Sequence, residues 1–351
     1  MAFVCLLVAA QAAMGQLMIP DVTNARVMLV DEFDGSLLDD RFIDMSSLGG
    51  NPVNAVRVGE EIWVSNQTNR TIHRFDERGS YLGDVAGAMD YVRGFAVVGD
   101  RVFAANAGQV TGHPERTGVL VIDVATASVV DFFPIGSDGE GFGFDVLPFV
   151  QGNETRLLIP DQSSTDEGLD DGEDIDWFDL DGTFLGTFHD SDGVTGIDNP
   201  MQLVDTGEGT VVAAGFTGSL FGIFEYDPAG EQIDFALLPG TNVYGVSPLA
   251  NGNMLFTTFE GVFVLDTARA TVTSVVSDRW AGFIEPLNPG GEPNHCPGDL
   301  DGDGTVSFPD LVALLSRWGP CEPGETGDLD GNGEVGFVDL LGMLQAWGPC
   351  R

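Results

Sequence analysis

From Leu17 to Asn288 the apolar positions fall in short runs with no helical period. The runs are rich in Val, Ile, Leu and Phe and are separated by polar turn residues, the pattern of β-strands. One strand type recurs as LMIPD (17–21), IWVSN (62–66), VFAAN (102–106), LLIPD (157–161), VVAAG (211–215) and MLFTT (254–258). A second type follows each time and runs into an aspartate, at Asp31, Asp76, Asp123, Asp179, Asp227 and Asp266. A turn comes next, often with glycine, as at Asp34-Gly35, Arg78-Gly79, Asp181-Gly182 and Ala229-Gly230. It leads to a third type: SLLDD, SYLGD, SVVDF, TFLGT, QIDFA and TVTSV. Before most units sits a fourth run, such as NAVRVG, GFAVVG, MQLVD or YGVSPLANG.

Four short strands per unit, in six units repeating every 40–55 residues or so, predict an all-β six-bladed propeller. Five or seven blades are the alternative counts. Each unit alone would expose an apolar face, so the units must stack around a ring. The run WAGFIE (280–285) has the look of a first-type strand and is expected to complete the first blade, closing the ring. The recurrent aspartates are read as turn caps, because only turn chemistry is shared where they recur. The unit resembles the NHL, SMP-30 and YncE-like propellers. Propellers of the SMP-30 type hold a metal with scattered Glu, Asn and Asp near the channel, which directs attention to Asn66, Asn106 and Asp161 at strand ends.

Units three and four carry insertions. Gln109–Thr117 and Gln162–Asp174 lengthen connections inside the unit, while Ser137–Phe144 and His189–Asn199 lengthen the connections to the next unit. In a propeller both kinds of connection emerge on one face. That sector gathers Asp138, Glu140, Asp161, Asp166, Glu167, Asp170, Asp171, Glu173, Asp174, Asp190, Asp192 and Asp198. The readings open to it are a solvated acidic loop, a cation site, or a catalytic carboxylate pair acting on a sugar, which requires two carboxyls with pKa values driven apart.

The chain ends on a different pattern. DLDGDGTVSFPD (299–310) and DLDGNGEVGFVD (328–339) place oxygen side chains at positions 1, 3, 5 and 12 and glycine at position 6. A hard cation takes six to eight oxygens, and the glycine permits the turn that aims them inward. Each loop runs into an apolar helical segment and ends in the same Trp-Gly-Pro-Cys, at 318–321 and 347–350. The duplicated unit resembles a type I dockerin, in the variant whose repeats end in Gly-Pro-Cys, over residues 294–351. The resemblance implies a small all-α domain of paired EF-hand-like loop–helix units with pseudo-two-fold symmetry, holding two calcium ions. It assigns Asp299, Asp301, Asp303, the Thr305 carbonyl and Asp310 to the first ion. Asp328, Asp330, Asn332, the Glu334 carbonyl and Asp339 go to the second. Position 9 is Ser307 in the first loop and Gly336 in the second, so water fills that place and the second site is expected to be the weaker. The implied partner is a cohesin-like scaffold protein, met near Phe308, Pro309, Arg317, Phe337, Val338 and Gln345.

Composition narrows the rest. Asp and Glu number 55 against 14 basic residues, all of them Arg, for a net charge of -41. Such a surface repels nucleic acid and anionic membranes. With 43% hydrophobic residues the chain still holds a core and is not a disordered acidic polymer. Residues 1–15 (MAFVCLLVAAQAAMG) read as a signal peptide, with small residues at Ala13 and Gly15 allowing cleavage before Gln16, although no basic residue precedes the apolar run. That stretch is too short to span a bilayer. The expected organisation is a signal peptide (1–15), a propeller (16–288), a Pro/Gly-rich linker (289–295) and the docking domain (296–351), in an extracellular or periplasmic protein. Beyond Cys5, the cysteines are Cys296, Cys321 and Cys350; Cys296–Cys350 and Cys296–Cys321 are rival pairings, each leaving one thiol over. His73, His113, His189 and His295 form no metal-binding spacing, and no GxSxG elbow is present. The expected function is a secreted, calcium-binding, dockerin-anchored propeller that binds a glycan or a protein. The alternative is a carbohydrate-active hydrolase or lyase with its active site on the face of units three and four.

Overall fold

A computed structural model describes residues 15–108, 117–135, 142–151, 154–161, 174–191, 196–197, 199–207, 209–216, 221–238, 241–287, 298, 300, 305–321, 327, 329, 334–345 and 347–349. The chain divides into two compact units, one at Gln16–Leu287 and the other comprising Met1–Gly15 with Asn288–Arg351.

The first unit contains six four-stranded antiparallel sheets, one for each repeat of the strand pattern, and is a six-bladed β-propeller. Blade 2 shows the arrangement: Pro52–Val58 innermost, then Glu61–Asn66, Thr71–Asp76 and, outermost, Tyr81–Asp84. The two middle strands are almost continuously buried, as in IWVSN and VLVID, because they are covered on both faces by neighbouring blades. Outer strands such as Leu37–Asp44 and Gln232–Leu237 are largely exposed, including apolar side chains such as Leu38 and Ile233. The core is therefore a series of inter-blade layers. One packs Trp63 and Val92 with Phe95 and Leu120, and another packs Tyr226 and Phe224 with Trp177 and Leu158.

The recurrent aspartates cap turns in all six blades. Asp76, Asp179 and Asp227 each accept two backbone N–H groups from the turn that follows, while Asp31, Asp123 and Asp266 each accept one. Hydrogen bonding to the Thr126 and Ser80 turns holds the Asp123 and Asp76 carboxyls below their ordinary range.

Ring closure departs from the sequence expectation in one respect. The C-terminal segment does complete blade 1, but the strand that does so is Glu285–Pro286, at the innermost position. The WAGFIE run is not a first-type strand, because that place in blade 1 is already filled by Gln16–Asp21. Instead Trp280–Ile284 stitches blades together: Val22 N–H donates to the Trp280 carbonyl (2.9 Å), Gly282 N–H to Pro20 (2.7 Å) and Phe283 N–H to Val53 (2.8 Å). Asp21, fully buried, meets Arg26 (2.9 Å) and Arg279 (3.2 Å) at the same seam.

Around the axis the innermost strands are joined by a closed belt of polar contacts. Asn54 of blade 2 reaches the Phe95 carbonyl of blade 3 (3.5 Å). Gly94 lies so close to Asp145 that a Cβ would sit 2.0 Å from its Oδ1. Asp145, ahead of the blade 4 inner strand, accepts Leu203 N–H of blade 5 (2.9 Å). Gln202 of blade 5 accepts Val246 N–H of blade 6 (3.1 Å) and Ile284 N–H (2.9 Å), and donates to the Ile284 carbonyl (2.6 Å) and Glu285 of blade 1 (3.2 Å). Glu285 returns to Asn54 through a side-chain hydrogen bond. Asn54, Asp145 and Gln202 are all buried.

The second unit is described at two short helices, α1 (Phe308–Leu315) and α2 (Phe337–Gln345), and four two-residue strands. Val306, Leu314, Val335 and Met343 form its small core, with half-buried Cys321 packed against it. Thr305–Val306, ahead of α1, pairs with Gly348–Pro349 after α2; Glu334–Val335, ahead of α2, pairs with Gly319–Pro320 after α1. Each half thus completes the other. Residues 1–14, the linker, Cys296 and Cys350 lie outside the described residues. No helix among the described residues is long and apolar enough to cross a membrane.

Gln202 carries four contacts: one to Glu285 of the closing strand, two to Ile284 just before it and one to Val246 of blade 6. Gln202→Leu strands buried N–H and C=O groups at about 1–3 kcal/mol each. A loss of roughly 3 kcal/mol or more is expected in urea unfolding of the propeller, at unchanged slope. A loss below about 1 kcal/mol would show that the belt is dispensable.

Candidate functional site

The two connection types do share a face. In blade 3, Ala107 N–H donates to the Tyr91 carbonyl (3.3 Å) and Gly108 N–H to that of Asp90 (3.1 Å), tying the connection inside the blade to the connection from blade 2. Gly108 permits this approach: a Cβ there would meet Asp90 Cγ at 2.8 Å. The strand-end residues Asn66, Asn106 and Asp161 serve the same purpose. Asn66 accepts Asn51 N–H (3.0 Å) and donates to Gly49 (2.8 Å), Asn106 accepts Asp90 N–H (2.7 Å), and Asp161 accepts Phe142 N–H (3.2 Å). Their oxygens are engaged by loop backbone. Of the acidic sector, Asp161 is buried and pairs in register with half-buried Asp174, and Asp190 is exposed. Asp138, Glu140, Asp166, Glu167, Asp170, Asp171, Glu173, Asp192 and Asp198 lie outside the described residues.

A cavity of about 400 Å³ opens on this face beside the blade 3 inner strand, lined by Asp90, Tyr91, Arg93, Phe142 and Phe144 among others. The Arg93 guanidinium stacks on the Phe144 ring with its carbon 3.9 Å from the centroid. Phe144 packs in turn against a cluster holding Tyr244, Phe283 and Trp280. Tyr244 lies edge-on to Trp280 (5.7 Å) and to Phe216 (5.8 Å). Among the described residues the buried Arg93 Nε, Tyr244 hydroxyl and Trp280 Nε1 have no hydrogen-bond partner. Burial pushes the Arg93 pKa down and that of Tyr244 up. Tyr91 is held at φ 52°, a left-handed backbone that bulky residues rarely adopt. Asp90 is paired with Arg70 at 3.1 Å.

Among the described residues the belt contributes the most perturbed carboxyls. Desolvation raises Asp145 from 3.8 to about 7, against hydrogen bonds from Leu203 and Val146 that lower it. Desolvation first, and then the charge of Asp145, raise Glu285 well above its ordinary range, while Asn54 and Gln202 oppose the rise. Both groups are spent on holding blades together. Sequence reasoning passed over them, although one signal was present: Pro52-Val53-Asn54 and Pro200-Met201-Gln202 place an amide at the same step of two inner strands.

In the second unit the described members of the expected ligand sets are Thr305, Asp310, Glu334 and Asp339; Asp299, Asp301, Asp303, Asp328, Asp330 and Asn332 lie outside the described residues. The two position-12 carboxylates are buried and held alike. Asp310 accepts Leu300 N–H (2.8 Å) and Ser307 N–H (2.8 Å); Asp339 accepts Leu329 N–H (2.7 Å) and Gly336 N–H (2.6 Å). The halves differ at Ser307, whose hydroxyl also reaches Asp310 (3.3 Å), where the second half has Gly336. Each of Asp310 and Asp339 is thus a buried carboxylate fixed in the first turn of a helix, at the twelfth position of its sequence motif. Phe308, Phe337 and Val338 are 68%, 65% and 57% exposed, so both helices turn apolar side chains outward at equivalent positions. Pro309 and Arg317 are also exposed.

No family model matches the sequence, and no curated protein matches it. Among solved structures, the crystal structure of a nidogen/laminin complex is similar at 14% identity, covering 78% of this chain and 98% of that one with a TM-score of 0.56. A protein of unknown function from Bacteroides caccae is similar at 12% identity, covering 78% and 99%, with a TM-score of 0.54. At these identities the likeness is one of fold.

Because Asp145 and Glu285 bind protons more tightly folded than unfolded, their contribution is fully present below about pH 4 and is lost as pH rises through about 7. Asp145→Asn is therefore expected to flatten the fall in thermal midpoint between pH 4 and 7. Parallel curves for the two proteins would count against the burial of that carboxyl.

Proposed function

We propose that this chain is an exported propeller carried on a calcium-ordered docking module of the dockerin type. The observation that carries the reading is the doubling of the second unit. Two loop–helix halves pin equivalent carboxylates, Asp310 and Asp339, in equivalent cages and exchange strands with each other. Calcium would be held by Asp299, Asp301, Asp303, the Thr305 carbonyl and Asp310, and by Asp328, Asp330, Asn332, the Glu334 carbonyl and Asp339. The metal's part is to order the loops, so that its binding energy is also folding energy for the module. With the loops ordered, Phe308, Pro309, Arg317, Phe337, Val338 and Gln345 form the surface offered to a cohesin-like partner. Their near-equivalence on α1 and α2 supports docking through either half. The apolar run from Phe3 to Ala10 and the small residues Ala13 and Gly15, ahead of the first strand at Gln16, support export.

The propeller is then the cargo, and we read it as a binding module for a glycan or a protein. Catalysis by a carboxylate pair has less behind it. Among the described residues the two most perturbed carboxyls, Asp145 and Glu285, are engaged in the axial belt.

Calorimetric titration of the chelator-stripped protein is expected to show two calcium sites, the weaker abolished by Asp339→Ala and the tighter by Asp310→Ala. Chelation should collapse the near-UV signal of Trp318 and Trp347 and the affinity for a cohesin-like partner. Signal, thermal midpoint and affinity all unchanged on chelation would overturn the reading.

A further inference from the structure

The cavity beside blade 3 contains a residue that the repeat does not explain. In strand register, Arg93 follows Val92, which faces Asn106, as Val53 follows Pro52 and Met201 follows Pro200 in blades 2 and 5. In blade 4 the equivalent residue is Phe144, and in blade 6 it is Tyr244, two residues before Val246, which pairs as Phe95 does. Blades 2 and 5 thus fill this position with a buried aliphatic side chain, and blades 4 and 6 with an aromatic one. Blade 3 places a guanidinium there, against Phe144 and within reach of the field of Tyr244.

Its lack of a counter-ion is the stronger observation. The chain carries 55 acidic residues and 14 basic ones, so arginines find carboxylates readily. Arg26, Arg70, Arg74, Arg156 and Arg279 each hold one within 3.2 Å. Arg93, half-buried and lining a cavity, holds none among the described residues, and its Nε is both inaccessible and unpaired. A guanidinium that lines a cavity with no described carboxylate paired to it is available to an anionic ligand through the part of its fork that is not enclosed. The planar fork fits a carboxylate through two parallel hydrogen bonds.

The remaining walls define what the carboxylate is attached to. Phe142, 41% exposed, and Tyr91, 44% exposed, offer aromatic surface at the mouth. Asp90 offers a carboxylate that accepts from hydroxyl groups, its own charge already balanced by Arg70. A ligand with an anionic end, an apolar ring face and hydroxyl donors satisfies all three. We propose that this cavity binds the carboxylate of a uronic-acid sugar, with Arg93 as its anchor. The assignment deepens the reading of the propeller as a binding module and rests on that half of it; the docking half is independent.

Titration of the full-length protein with D-galacturonate, its methyl ester, D-galactose and benzoate tests it. Galacturonate should bind at least tenfold tighter than the uncharged methyl ester or galactose, and Arg93→Gln should remove that tenfold advantage. The ester comparison keeps the test decisive even if the variant fails to fold. Benzoate binding as tightly as galacturonate would replace the sugar acid by any flat carboxylate, and a short Glu-rich peptide binding more tightly would replace it by a protein; either overturns the proposal. So does galacturonate binding no better than its ester, or not binding at millimolar concentration. Chelator added to a parallel titration separates the two halves of the protein: loss of docking with galacturonate binding retained leaves this site standing.

Discussion

The propeller depends on a ring of buried polar contacts around its axis. Apolar packing between blades is strong but not directional, and by itself it would tolerate sliding of one sheet over the next. Asn54, Asp145, Gln202 and Glu285 convert that packing into a fixed register, because each satisfies backbone or side-chain groups of a neighbouring blade. Satisfied polar groups in a low-dielectric interior add specificity that an aliphatic substitute cannot. The cost is the burial of two acids near each other, and it appears as their raised affinity for protons.

The belt and the cavity are consecutive in sequence. Gly94 packs on Asp145 while Arg93, one residue earlier, lines the pocket. Both lie in the irregular stretch of the inner strand between Val92 and Phe95, so holding one in place constrains the backbone of the other. Phe144, the ring beneath the guanidinium, is likewise the neighbour of Asp145. A recognition site built on belt-flanking residues inherits the rigidity of the belt.

The strand units were legible because their signals are local: an apolar run, an aspartate, a glycine turn. Asp76 and Asp227 could be assigned as caps from sequence alone, since the groups they bind lie two to four residues away. The inner strand of blade 4, Leu147–Gln151, was not recognised, and the closing strand, expected over 280–285, is Glu285–Pro286. One is interrupted by Pro148, and the other is two residues long and defined only by its partner. The belt and the cavity were illegible for a related reason. Arg93, Tyr244 and Trp280 meet across well over a hundred residues of chain, and nothing near any of them announces the meeting. In the second unit the loop grammar was plain, while the exchange of strands between halves came only with the fold.

The closing strand has a mechanical meaning. Glu285–Pro286 is the last piece of the ring and also the place where the chain leaves it, with Leu287 N–H still bonded to the Gln16 carbonyl at 2.7 Å. Tension applied to the chain beyond residue 287 would reach this seam before any other part of the propeller. There it would meet first a single backbone hydrogen bond, then a two-residue strand, and behind them the amide of Gln202. The ring's fastening and its handle are the same few residues, so the pull needed to open the propeller is set by them and not by the size of its core.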